Sequence, residues 1–141
     1  MAVIRAQVRN SQGLHDVVLK TDDVEHAIIV PPKSSGYGSS ANGGELLFLA
    51  LATCYCNDLY REAAKRNIAV QSVLVEVIGE FDDAPGSAAR NIQYRAAVQA
   101  QASDEEIRDL MRYTDTVAEV QNTLRAGTKV TLVEARTHAV T

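Results

Sequence analysis

Apolar and polar residues alternate along residues 2–9, with Ala2, Ile4, Ala6 and Val8 on one face and Arg5, Gln7 and Arg9 on the other. Period two predicts a half-buried strand. Asn10-Ser-Gln-Gly13 then reads as a hairpin turn into a second strand at 14–20. Thr21-Asp-Asp23 is a further turn, and residues 26–30 read as a short third strand that Pro31-Pro32 ends. The same alternation returns at 70–81, where Val73, Val75, Val77 and Phe81 share a face. It recurs at 91–100, with Ile92, Tyr94, Ala96, Val98 and Ala100 inward. Asp82-Asp-Ala-Pro-Gly86 between them makes this the clearest hairpin in the chain.

Helical spacing governs two other stretches. Residues 43–67, GGELLFLALATCYCNDLYREAAKRN, are rich in helix formers and contain no proline. The first half, 46–56, carries no charge, whereas the half from Asp58 is polar and amphipathic, with Asn67 placed as a C-cap. An all-round apolar helix is expected to be buried all round. The run is too short for a membrane span, which needs roughly 18 residues or more. Ser103 and Glu106 form a capping box at the start of a second helix. Its buried stripe begins at Ile107, Leu110 and Met111 and continues, with room for a break, through Val117, Val120 and Leu124. Gly127 stops it, and 129–135 reads as a last strand. The sum is α+β, one domain over 1–141, organised around the first helix. One thin sheet cannot cover that helix on every side, which points to a second chain.

The Gly/Ser/Pro-rich segment 31–44 is expected to be a mobile loop bordering a site. With 46% hydrophobic residues the chain is not a disordered one. A net charge of −4 and a pI near 5.3 give no footprint for nucleic acid or an anionic membrane. The N-terminus lacks a signal-peptide pattern. Cys54 and Cys56 stand about 200° apart on a helix, at roughly 100° per residue, and cannot pair there. Two free thiols suit a reducing cytoplasm.

Cys54 is the candidate nucleophile, although a cysteine on an apolar helix is more often a small buried hydrophobe. A working thiolate in mid-helix calls for a nearby cation to lower its pKa, and Arg5, Arg9 and Arg125 are possible suppliers. Cys56 reads as packing. His15, His26 and His138 are scattered without ligand spacing, so neither a metal nor a cofactor is expected. The pair Glu62 and Arg66 reads as an i,i+4 ion pair. Ser34 to Ser40 lacks the P-loop lysine pattern.

At GGELLFLALATC, the polar helix after it and the hairpin beyond, the sequence resembles the OsmC/Ohr superfamily of thiol-dependent hydroperoxide reductases. The resemblance implies an OsmC-like fold built as an intertwined homodimer, with the long helices inside and the active sites at the interface. It maps the peroxidatic cysteine onto Cys54 and assigns Arg125 and Glu45 to the site. In the family an arginine holds the thiolate ionised, a glutamate orients that arginine, and a second cysteine closes a disulfide. The C-terminal signature, Cys-Pro-x-Ser with a later arginine and glycine, falls on Ala118-Glu119-Val-Gln121, Arg125 and Gly127. The resolving cysteine is thus replaced by Ala118. Gly44 stands where the peroxidase branch has its glutamate, and Glu45 occupies the more general Glu-Leu-Leu position.

Two readings follow. One is a one-cysteine peroxidase that reduces organic hydroperoxides at Cys54, with an external thiol as reductant. The other is a non-catalytic OsmC-like protein that binds a small apolar ligand or is associated with stress. Both are homodimeric, and neither involves nucleic acid or a membrane.

Overall fold

A computed structural model describes residues 1–140. The chain divides into two compact units, one from Met1 to Phe48 and one from Leu49 onward. In the first unit, β1 (Ile4–Ser11), β2 (Leu14–Thr21) and β3 (Val24–His26) form an antiparallel meander in the order β1-β2-β3. Gly13, at φ 74, turns the first hairpin, and Asp22, at φ 52, turns the second. Register places Ala6 opposite Leu19 and Val8 opposite Val17, so the apolar residues do share one face. This sheet differs from the sequence pattern in two respects. The third strand precedes 26–30, ending at His26. And β1 is exposed along its whole length, with Ile4 at 75%.

The Gly/Ser-rich loop is a folded element. Lys33 N–H donates to the Gly38 carbonyl at 3.2 Å and Ser40 N–H to the Pro31 carbonyl at 2.9 Å. Asn10 clasps Gly38 twice, its Nδ2 donating to the carbonyl at 3.1 Å and its Oδ1 accepting from the N–H at 3.0 Å.

The helix α1 (Gly43–Lys65) has defined ends. At its start Asn42 Oδ1 accepts from Glu45 N–H at 2.8 Å, while Glu45 Oε1 accepts from Asn42 N–H at 3.0 Å. That reciprocal pair is a capping box, satisfying two otherwise orphaned donors. At its end Asn67 takes φ 56, its N–H donates to the Ala64 carbonyl, and Ile68 N–H reaches back to the Ala63 carbonyl. This is a Schellman close, with asparagine in the left-handed position that usually takes glycine.

Within this chain α1 is buried along one stripe, not all round. Leu51, Tyr55, Asp58, Leu59, Glu62 and Ala63 are buried, while Leu49, Ala50 and Thr53 of the apolar run are exposed. The stripe runs through the polar half because its spacing, not its composition, decides which residues face inward.

In the second unit β4 (Ala69–Glu80) and β5 (Arg90–Gln101) form the expected hairpin. Val73 faces Val98, Val75 faces Ala96 and Val77 faces Tyr94. The core joins Tyr55, Leu59 and Ala63 of α1 to Leu110 of α2 (Asp104–Val117), with Val73, Val75, Tyr94, Ala96 and Val98 packed against it. Phe81 is exposed, contrary to its expected place on the inner face. Ser103 Oγ accepts from Glu106 N–H at 3.1 Å, as the capping box predicts. The helical pattern breaks at the buried Ala118, and α3 (Glu119–Arg125) follows. Residues 129–135 are not a strand; Val130 and Leu132 are 95% and 86% exposed. A strand requires a hydrogen-bonded neighbour, and this segment finds none among the described residues.

Candidate functional site

Cys54 sits on α1 one turn before Asp58, so the helix repeat places both side chains on one stripe. Arg61 follows at i+7 from the cysteine, on the same side. The break at Ala118 lets α3 begin against this stripe with Glu119. The result is a half-buried thiol between two carboxylates. Cys54 Sγ lies 3.6 Å from Asp58 Oδ2 and 3.9 Å from Glu119 Oε2, in S–H···O geometry. Arg61 Nη1 bridges the carboxylates, 3.0 Å from Asp58 Oδ1 and 3.6 Å from Glu119 Oε1. Its Nε holds Glu62 Oε2 at 2.8 Å.

Electrostatics follow from this arrangement. Burial raises the Cys54 pKa; a hydrogen bond from the Val120 backbone opposes the rise, and the Asp58 and Glu119 charges add to it. The direction is opposite to that of an arginine-activated thiolate, because the thiol is partly buried and its nearest charged groups are acids, with the arginine behind them. Asp58 is raised too, first by its own burial and then by Glu119. Glu119 is held low, chiefly by its own backbone N–H at the start of α3. Of the two carboxylates, Asp58 is therefore the stronger base.

The three donor atoms of Cys54, Asp58 and Glu119 lie within 4.8 Å of one another, close enough to share a cation. Arg61 is the cation already engaged there. Sequence spacing does not reveal this cluster, since Glu119 comes from a different helix. Cys54, Asp58 and Arg61 stand at i, i+4 and i+7, but polar residues on an amphipathic helix read as its solvated face.

The other expected site residues lie elsewhere. Arg125 Nη2 donates to Asp115 Oδ1 at 2.7 Å, and its Nη1 donates to the Asp115 carbonyl at 3.2 Å and to Asn122 Oδ1 at 3.0 Å. Tyr94 donates its hydroxyl proton to the same Asp115 oxygen. Glu45 is committed to the capping box of α1. Glu62 pairs with Arg61 and Lys65, not with Arg66, which lies 5.1 Å from the centre of the Tyr113 ring. Cys56 is half-buried and, with Ala52, Val73 and Leu74, lines a cleft of about 330 Å³. A smaller cleft of about 150 Å³ is bordered by Leu51, Ile92, Tyr94, Gln121, Leu124 and Arg125. Cys54 lines neither.

No helix among the described residues is long and apolar enough to cross a membrane. Comparison with curated proteins finds no match. Among solved structures, an OsmC-like protein from Mycoplasma pneumoniae superposes with a TM-score of 0.59 at 18% identity, covering 86% of this chain and 87% of that one. An OsmC-like protein of unknown function from Vibrio cholerae gives 0.59 at 12% identity, covering 87% of this chain and 94% of that one. Both show the fold. The family model described as OsmC-like protein matches residues 36–133, most of the chain and all of the Cys54 cluster. The chain belongs to the OsmC-like protein family.

Proposed function

We propose that this protein reduces organic hydroperoxides through Cys54, by one-cysteine chemistry in which Asp58 handles the proton. The observation that carries the reading is the 3.6 Å contact between the Cys54 sulfur and Asp58 Oδ2. A thiol with a raised pKa is a poor nucleophile unless a base takes its proton as it attacks. Asp58 is that base. The sulfur attacks the outer oxygen of the peroxide, the O–O bond breaks, and Asp58 passes the proton to the departing alkoxide. Cys54 becomes a sulfenic acid and the hydroperoxide becomes an alcohol. Arg61 keeps the carboxylate pair in place and limits its net charge. With Ala118 at the resolving position, an external thiol condenses with the sulfenic acid, releasing water, and a second thiol frees the enzyme as the disulfide leaves. A reducing cytoplasm supplies such thiols.

The working form in this reading is a homodimer. Ile4 on β1, Leu49 on α1, and Val130 and Leu132 beyond α3 are apolar and exposed, more than a small monomer leaves in water. A stable folded monomer at micromolar concentration in sedimentation would contradict the dimer.

The activity is tested by turnover of tert-butyl hydroperoxide with dithiothreitol. The reading expects turnover in the native chain, none in Cys54→Ser, and retention in Cys56→Ser. Intact mass after one equivalent of peroxide should show one added oxygen, and no loss of two hydrogens within a chain. The raised thiol pKa favours a second reading, a non-catalytic scaffold that binds a small apolar ligand. An inert Cys54 in the same assay would select it.

A further inference from the structure

Gln121 is buried, 4% exposed, yet uses only half of its amide. Its Nε2 donates to the Leu51 carbonyl at 3.0 Å, while its Oε1 is buried with no hydrogen-bond partner among the described residues. Leaving an acceptor buried and unpaired is unfavourable, and such atoms are rare in native proteins. An apolar side chain would occupy the same space without that cost. Nor does Leu51 need the bond. It lies well inside α1, where its carbonyl has a role in the helical ladder. What the bond does is fix geometry. Leu51 is one turn before Cys54, and Gln121 is two residues after Glu119. The N-cap of α3, Ala118, offers no side-chain cap to hold that helix start.

We infer that Gln121 is a positioning residue, its single hydrogen bond to Leu51 holding the first turn of α3 against α1 so that the Glu119 carboxylate and the Val120 backbone N–H reach the Cys54 sulfur. The inference rests on the reading that Cys54 is the working thiol. It accounts for a glutamine that is half unsatisfied: the donor end is required and the acceptor end is tolerated. The charged groups facing Cys54 are then Asp58 from α1 itself and Glu119 from α3, with Arg61 bridging them. Only Glu119 depends on the clamp.

The test measures alkylation of Cys54 by iodoacetamide against pH, followed by intact mass, in a Cys56→Ser background. In that background Glu119→Gln should move the midpoint to lower pH, because a charge that disfavours the thiolate is gone. In Gln121→Met, which keeps length but has no donor, Glu119→Gln should leave the midpoint where it is. An equal shift in both backgrounds would overturn the inference. So would a Gln121→Met chain without a thermal unfolding transition, since the amide would then hold the fold and not the site. Alkylation does not depend on peroxide turnover, so loss of the proposed activity and loss of the clamp give separate results.

Discussion

The Cys54 sulfur stands 3.6 Å from Asp58 Oδ2, a thiol paired with a carboxylate one helical turn away and not with an arginine. Burial, and then the charges of Asp58 and Glu119, favour the protonated thiol, against a backbone hydrogen bond from Val120 that favours the thiolate. Iodoacetamide labelling of Cys54 should therefore show a midpoint above the roughly 8.5 of a free cysteine. Asp58→Asn should bring the midpoint down. A native midpoint at or below the free value would contradict this electrostatic picture.

Glu45 and Asn42 form a closed pair at the start of α1, 3.0 and 2.8 Å apart in their two bonds. Glu45→Gln keeps the reach of the side chain but removes its charge from the positive end of the helix. The expected loss is about 0.3–1 kcal/mol. Thermal unfolding checks it, at about 2–4 °C per kcal/mol for a chain of this size. The Cys54 midpoint should not move. If it does while the fold is intact, Glu45 of a second chain belongs to the thiol site.

How far the sequence could be read depended on how local each interaction is. The β4–β5 hairpin, the Ser103 cap and the close at Asn67 follow from residues a few positions apart, and they were legible. The thiol environment depends on Glu119 and Gln121 meeting α1 across 65 and 70 residues, which no periodicity encodes. The alternating segment 129–135 shows the converse case. Its pattern is that of a strand, but pairing requires a partner, and propensity alone does not supply one. Asp58 and Glu62 show a third. Charged residues on an amphipathic helix read as its outer face, yet both are buried here because Arg61 neutralises them from the rim.

Asp115 joins Tyr94 and Arg125 across β5, α2 and α3. Its partial burial raises its pKa, but the Tyr94 hydrogen bond and the Arg125 guanidinium more than offset that and hold it below the usual value. A depressed carboxylate stabilises the fold above its unfolded pKa, about 3.9 for aspartate, and that stability is lost as pH falls through the lower folded value. The groups are half exposed, so screening keeps the contribution below about 1 kcal/mol. Acid unfolding followed by circular dichroism should show this loss in the native chain. Arg125→Met should reduce it while leaving the Cys54 midpoint unchanged, since Arg125 binds Asp115 and not the thiol.

In the proposed reaction Asp58 acts as a base toward Cys54 and not merely as a neighbour that suppresses it. Stopped-flow oxidation of Cys54 by tert-butyl hydroperoxide, comparing the native chain with Asp58→Asn at neutral pH, separates the two roles. Asp58→Asn lowers the thiol pKa and so increases the thiolate fraction; a thiolate-only mechanism then requires faster oxidation. General-base assistance by Asp58 predicts slower oxidation in Asp58→Asn, by roughly 10²-fold or more. An Asp58→Asn chain that reacts faster, in step with its thiolate fraction, would contradict it.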